Sequence, residues 1–450
     1  MIQESRILNK DYEAAVPEKM KWYLHDRVGM FIHWGLYSLL GHGEWAMSRE
    51  RISKEEYRQY FDNFNPRDYD PKKWAAMAKN AGIKYAIMTS KHHEGFCLFD
   101  SQYTDFKSTN TAFGRDAIRE FLDAFREAGI KVGIYYSIID WHHPDYPEYG
   151  DMYAPMRDNE EYREREKEKN FDRYLEYMHA QVKELCTNYG KIDILWFDYA
   201  YDNMRGEKWQ ATKLVRMVKH YQPHIILNNR LEVSGNGFGS IVTANHNEYS
   251  GDFVTPEQVI PPDGIRNVWN EPVPWEACVT TNNHWGYCNK DYNFKSPELI
   301  IRKLVECTSK GGNMLINVGP DKDGIIPEKS AAIFDELGAW LRTNGESIYG
   351  CGYAGIEKPE YGRITKSCSG NVYYYHIFEP VIGPVVLSGL PKDKIETIEL
   401  LINGRKLTLA SSWVVNNYKN MGFVTLGDNE EYTYTLPDTR DTVIKVVLRD

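Results

Sequence analysis

One pattern constrains the fold of this chain more than any other: helix, glycine, apolar strand, repeated. In "GRDAIREFLDAFREAG", Ile118, Phe121, Leu122 and Phe125 fall at i, i+3, i+4 and i+7 and form one apolar stripe. Gly129 closes that helix. "PKKWAAMAKNAG" repeats the logic with Trp74, Met77, Ala78 and Ala81 before Gly82. "SPELIIRKLVECTSKGG" opens on Ser296 as N-cap with Pro297 at the first helical position, and stops at Gly311. Apolar strand segments lie at 28–33, 85–89, 132–137, 192–198, 225–229 and 314–318, with weaker ones at 252–255 and 278–281. Eight strands alternating with helices favour a (β/α)8 barrel of the TIM type over an open doubly wound α/β sheet.

The pattern changes after "FDELGAWLRTNGESIYG". "NVYYYHIF", "IETIELLING", "WVVNN" and "TVIKVVL" read as strands, and "NGRK" as a turn. The expectation is a catalytic barrel domain over 1–350 and a C-terminal antiparallel β-sandwich domain over 351–450. Residues 157–169, "RDNEEYREREKEK", are nearly all charged and read as a solvated excursion.

Charge and cysteine content narrow the function classes. A net charge of −10 argues against sequence-independent nucleic-acid binding, which needs a cationic surface. No run approaches the length of a membrane-spanning helix, so no membrane partner is expected. The N-terminal "MIQESRILNKDYEAA" lacks the apolar core of a signal peptide, which points to the cytoplasm unless a leader has been trimmed. Seven cysteines without a CxxC spacing fit reduced thiols rather than a disulfide framework or a structural zinc site. A homo-oligomer is left open.

In such a barrel the reactive groups sit at the C-terminal strand ends. Here those ends carry His33, then Lys91, His92 and His93, then Tyr135 and Trp141. They continue with Trp196 and Asp198, Arg230, Asp252 and Glu257, and finally Trp275, Glu276, His284 and Trp285. Alternation along a strand points Ile194, Trp196 and Asp198 one way and Phe197 the other. A carboxylate beside an indole at the end of an apolar strand is costly unless something uses it. The ordinary alternative is a helix-capping or ion-paired aspartate.

The adjacent His92 and His93 do not both face one ion from a regular strand, and no HExxH occurs. No metal or other cofactor is expected; the histidines fit better as hydrogen-bonding groups for hydroxyls. Aromatic residues make up 14% of the chain. Extra core and sheet surface is one explanation of the whole excess; a ring-lined pocket of the kind that stacks on sugars is the other.

"GMFIHWGLYS", "GEWAMS", "KYAIMTSKHHEGFCLFDS", "GIYYSIIDW", "ILWFD", "GDFVTPEQ" and "GGNMLINVGPDKDGIIP" follow one another from about residue 17 to 350. This ordered set closely resembles the retaining α-L-fucosidases of glycoside hydrolase family 29. The resemblance implies a barrel followed by a β-sandwich, an Asp198 nucleophile, and a fucose pocket. That pocket would be formed by His33, Glu44, Trp45, His92, His93, Tyr135, Trp196, Arg230 and Trp285. The "TPEQ" match implies Glu257 as general acid/base, with Glu276 and Glu248 as rivals. Ala46 stands where many relatives carry tyrosine, on the leaving-group side.

The expected activity is exo-hydrolysis of terminal α-L-fucosyl residues from glycans, with a fucosylated oligosaccharide or glycoconjugate as partner. In that scheme the three histidines and Arg230 hold Asp198 ionised. Two other readings remain at this point: a catalytically dead carbohydrate-binding barrel, and a glycosidase for another sugar such as an α-galactoside. Keeping both Asp198 and Glu257 argues against the first. The second turns on whether Trp285 fills the place of a C6 hydroxyl.

Overall fold

Seven parallel strands form one curled sheet: β1 (Val28–Ile32), β2 (Tyr85–Lys91), β3 (Lys131–Ser137), β4 (Ile194–Asp198), β5 (Ile226–Leu227), β6 (Glu276–Thr280) and β7 (Asn313–Val318). The computed structural model describes residues 16–234, 237–427 and 435–449. The N-terminal stretch read above as lacking a signal-peptide core lies outside them. The sheet order is β5-β4-β3-β2-β1-β7-β6. Registers such as Phe31↔Ile87, Phe31↔Asn317 and Tyr135↔Trp196 bring the strand ends to one rim.

The eighth strand expected over 252–255 is not a regular strand. The segment instead spans the gap between β5 and β6 by single parallel bridges, Asn228↔Phe253, Val254↔Trp275 and Glu257↔Cys278. Asp252 N donates to Leu227 O at 2.6 Å, Val254 N to Pro274 O at 2.9 Å and Cys278 N to Pro256 O at 3.1 Å. Pro256 and Pro274 have no N–H, so a full ladder cannot run through either one. The barrel therefore closes on side-chain and single-bridge contacts where an eighth strand was expected.

Strand alternation sorts the apolar residues into two clusters. Phe31, Tyr85, Ile87, Tyr135, Ile194, Trp196, Cys278 and Leu315 fill the barrel interior. Met30, Ala86, Met88, Ile134, Leu195, Phe197, Ala277 and Ile316 face the surrounding helices. The helices form as their sequences direct. Asp70 accepts from Lys72 N and Lys73 N at the start of Pro71–Asn80, and Asp116 from Arg119 N before Ala117–Glu127. Ser296 accepts from Leu299 N ahead of Pro297–Ser309. Gly129 takes φ +80°, the left-handed cap that glycine supplies without strain.

The charged segment 157–169 forms a short helix, Glu160–Arg163, and a 3-10 turn, Arg165–Glu168. It is largely solvated but not idle. Glu166 accepts from the backbone of Glu148 and Tyr149, and Lys169 pairs with Glu148, which fixes part of the rim after β3.

The C-terminal strands are β8 (Cys351–Tyr353), β9 (Gly362–Ser367), β10 (Val372–Ile377), β11 (Val385–Leu387), β12 (Ile395–Leu400), β13 (Arg405–Lys406), β14 (Gly422–Val424) and β15 (Thr442–Leu448). Six of them make an antiparallel sheet in the order β13-β12-β15-β10-β9-β8, and β11 pairs with β14. They enclose their own cluster around Ile364, Tyr375, Leu400, Val424 and Ile444. "NGRK" makes the expected turn, with Gly404 at φ +72°. The strand expected for "WVVNN" is absent. Val415–Asn417 is a 3-10 turn instead, because Ser412 Oγ accepts from Val415 N and Asn417 Nδ2 donates to Trp413 O. Such local side-chain bonds compete with a ladder. Arg302, on the last helix before β7, donates to the carbonyls of Phe378, Thr439 and Arg440 and ties this sheet to the barrel.

Candidate active site

The interior parity of each strand continues past its last residue, and this places the chemistry. On β4, Ile194 and Trp196 lie in the interior and Asp198 follows them to the mouth. On β1, Phe31 is followed by His33, and on β3, Tyr135 stands at the same level. Cys278 of β6 and Phe31 complete the floor.

Asp198 is nearly buried and doubly held. Tyr135 OH donates to its Oδ2 at 2.8 Å and Arg230 Nη1 to its Oδ1 at 3.1 Å. The other end of the same guanidinium, Nη2, donates to Glu257 Oε2 at 3.1 Å. Arg230 is aimed by Thr255, which accepts through Oγ1 at 2.8 Å and through its carbonyl at 3.1 Å, and its guanidinium lies 4.8 Å over the Trp196 ring. Thr255 belongs to the bridging segment that replaces the eighth strand, so that irregular piece carries both the arginine's support and Glu257. Glu257 is partly exposed and also accepts from Trp285 Nε1 at 3.1 Å.

The histidine protons follow from their partners. Asn317 Nδ2 donates to Trp285 O at 2.7 Å, which leaves Asn317 Oδ1 as acceptor for His33 Nδ1 at 2.7 Å. Ser137 Oγ donates to Ile139 O at 2.8 Å and so accepts from His93 Nδ1 at 2.7 Å. Burial, then neighbouring His92, pushes the His33 and His93 imidazoles well below their ordinary range. Both are neutral, with Nε2 as the acceptor left for a ligand hydroxyl.

Neutral His33 and His93 bring no positive charge to Asp198, whereas His92, like Arg230, draws its carboxyl down. Arg230 is the cation of the site. Burial pushes the Asp198 carboxyl up, Arg230 pulls it down and Glu257 pushes it up again.

The cavity is lined by Asp198, Glu257, His33, Trp45, His92, His93, Tyr135, Trp196, Arg230 and Trp285, with Phe31, Tyr199 and Cys278. Glu44, expected among them, stands outside that lining. It is buried, and its Oε2 accepts from Gly286 N at 2.8 Å, which fixes the backbone beside Trp285. The rivals of Glu257 lie elsewhere. Glu276 is fully buried at the start of β6, bonded to Tyr85 OH at 2.5 Å. Glu248 pairs with Arg216 at the surface.

Sequence reasoning missed Tyr199, Asn317, Ser137 and Thr255. Asn317 has the interior parity of β7 and was findable by that rule. Tyr199 takes φ +88°, which nothing in the sequence announces.

A deep cavity with neutral imidazole acceptors, aromatic faces and two carboxyl groups on one guanidinium is built to hold and cleave a small polyhydroxylated ring. The sequence model of the α-L-fucosidase family matches residues 2–346. The α-L-fucosidase of Dictyostelium discoideum is 27% identical over 418 residues, covering 86% of this chain and 84% of that one. The plasma α-L-fucosidase of Rattus norvegicus is 28% identical over 423 residues, covering 87% and 84%. α-L-Fucosidase isoenzyme 1 from Paenibacillus thiaminolyticus superposes with a TM-score of 0.91 at 52% identity, covering 96% of this chain and 99% of that one. A Bacteroides thetaiotaomicron α-L-fucosidase of glycoside hydrolase family 29, described as a trapped covalent intermediate in complex with 2-fluoro-fucosyl fluoride, gives 0.80 at 29% identity over 96% and 97%. On the match over 2–346 and these relatives, the chain belongs to the α-L-fucosidases of glycoside hydrolase family 29.

Proposed function

We propose that this protein removes terminal α-L-fucosyl residues from glycans by double displacement, with Asp198 as nucleophile and Glu257 as general acid/base. The observation that carries this reading is the single guanidinium spanning both carboxyl groups. It brings both carboxyl groups to one cavity, where a retaining glycosidase needs a nucleophile and an acid/base.

In the first step Asp198 attacks the anomeric carbon while Glu257 gives its proton to the departing oxygen. Asp198 is nearly out of solvent and fixed by Tyr135, so its free oxygen lone pairs are few and directed. Glu257 is more exposed, where protons exchange readily with water. In the second step Glu257 takes a proton from water, which attacks the fucosyl-enzyme and returns Asp198.

The Nε2 atoms of His33 and His93 accept from sugar hydroxyls. Trp285 lies against His33 at 5.2 Å between ring centres and gives the C6 methyl an apolar face. A methyl-sized distinction is worth about 1–3 kcal/mol, so slow turnover of the matching galactoside fits the reading. The dead-barrel reading is not favoured, since both carboxyl groups are present and paired. The seven free thiols support a reducing compartment such as the cytoplasm as its place of action.

The test is NMR of an aryl α-L-fucoside during hydrolysis. The α anomer of fucose is expected first; the β anomer first, or no turnover, overturns the reading.

A further inference from the structure

The cavity has one open side. Nine of its lining residues are buried, and those that reach solvent are Trp45, Tyr199, Glu257 and Trp285. A terminal sugar seated inside has its neighbour at this rim. The glycosidic oxygen must lie near Glu257, so the leaving sugar lies over the rim residues. Trp285 is already engaged, with its Nε1 on Glu257 and its ring on His33.

Tyr199 is placed differently. It follows Asp198 directly and adopts φ +88°, a conformation that costs a bulky residue backbone strain. Its ring is fixed by neighbours on several sides: Trp45 at 5.1 Å, His93 at 4.8 Å, Tyr153 at 5.0 Å and Tyr201 at 5.6 Å between ring centres. Most of these contacts are edge-to-face or tilted, which locks the ring without stacking a partner flat on it. Tyr153 is itself tied down, since Ser48 Oγ donates to its carbonyl at 2.6 Å. The ring is thus held rigid, half-exposed and next to the nucleophile. Its phenol also feels both carboxylates, which raise it further after burial and Tyr153. Glycine at this position would adopt the same backbone without strain, so the strain is retained for the ring.

We propose that Tyr199, backed by Trp45 and Tyr153, is the platform for the leaving sugar, and that it selects aglycones that are pyranoses with a contiguous C–H face. This rests on the fucosidase reading above. A rigid aromatic face loses little entropy on binding and stacks on such a surface.

The test compares two substrates that share fucose and differ only in what leaves: α-L-fucosyl fluoride and an α-L-fucosyl-galactose disaccharide. Fluoride covers no platform. Tyr199→Ala is expected to lose at least tenfold more kcat/KM on the disaccharide than on the fluoride, a gap of about 1.4 kcal/mol. Tyr199→Phe keeps the ring and is expected to keep the wild-type ratio between the two substrates. Turnover of the fluoride reports that each variant is folded. If the alanine variant does not fold, Tyr199→Asn, which tolerates the left-handed backbone, takes its place. Equal losses on both substrates, no loss on either, or the same changed ratio in Tyr199→Phe overturns the platform. A wild-type protein inactive on both fucosides overturns the fucosidase reading itself, so the two failures are distinguishable.

Discussion

Asp198 and Glu257 sit on opposite ends of one guanidinium: Arg230 Nη1 reaches Asp198 Oδ1 and Nη2 reaches Glu257 Oε2, each at 3.1 Å. A planar fork with two donor ends fixes the spacing and orientation of both carboxyl groups together. It also makes their charges interdependent. Both carboxyl groups draw on the same cation: Arg230 pulls the Asp198 carboxyl down, while Glu257 beside it pushes it up.

Asp198→Ala is expected to lower turnover by several orders of magnitude while the fold survives, because a nucleophile is being removed and not a packing element. Azide is the diagnostic reagent. It fits the space left by the carboxylate and attacks the anomeric carbon directly, giving a fucosyl azide of inverted configuration. Near wild-type turnover in the alanine variant would sink the assignment.

Arg230→Gln is expected to shift the acidic limb of the kcat/KM profile to higher pH. The sign follows from the forces on Asp198. Burial and Glu257 push its carboxyl up, and Arg230 pulls it down. Without the cation the upward forces act with less opposition, so Asp198 stays protonated to higher pH and the reactive carboxylate appears later. The loss at the optimum is expected to be on the order of 10²- to 10³-fold, as for other preorganised electrostatic groups. The pH profile on an aryl fucoside checks it; an unmoved acidic limb contradicts this account of the site's charge.

Much of this architecture was legible because short apolar runs bounded by glycine and capped helices leave few alternatives, as in Tyr85–Lys91 followed by "HHEG". The site was legible for a related reason. Parity along a strand fixes which way Asp198, His33 and Tyr135 point, and strand order fixes that they meet. Other features are not carried by alternation and composition. The segment around Thr255 looks like a strand by composition, but Pro256 and Pro274 forbid the ladder and turn it into a bridge that carries Glu257. Val414 and Val415 look like strand residues, but Ser412 Oγ accepts from Val415 N and Asn417 Nδ2 donates to Trp413 O, which holds a turn there. The neutrality of His33 and His93 depends on depth of burial, which no local pattern encodes. Glu44, read as a pocket residue from its motif, stands just outside the cavity lining, with one carboxylate oxygen on the backbone of Gly286.

Glu276→Gln is expected to change how stability depends on pH. Glu276 is fully buried inside the barrel, and burial pushes its carboxyl up to about 7 against the pull of Tyr85, Trp196 and Tyr23. The unfolded chain releases this proton near 4.5, the folded chain near 7. Between those values the native state binds more protons, so its stability falls as pH rises. The loss is on the order of 3 kcal/mol and complete above about pH 7. Glutamine cannot titrate. Relative to wild type, the variant is expected to gain stability steadily between pH 4.5 and 7.5 in denaturant unfolding. Parallel curves for the two proteins would remove the buried acid from the account.

Glu257→Ala is expected to separate substrates by their leaving groups. An aryl fucoside with an acidic phenol departs with little protonation, so its defucosylation step is expected to be damaged far less. A natural disaccharide needs a full proton on the glycosidic oxygen, so its first step nearly stops. General acid help is worth about 10²- to 10⁴-fold, which sets the gap between the two substrates. The second step also loses its base, so fucosyl-enzyme accumulates on the aryl substrate, and azide, which needs no base, speeds turnover with retention of configuration. Glu276 cannot show this pattern from inside the barrel, and Glu248 is paired with Arg216 away from the cavity. Equal slowing of both substrates in Glu257→Ala, with the leaving-group split appearing in a Glu276 or Glu248 variant, would move the acid/base to that residue. It would leave the Arg230 fork binding a carboxylate that positions the arginine alone.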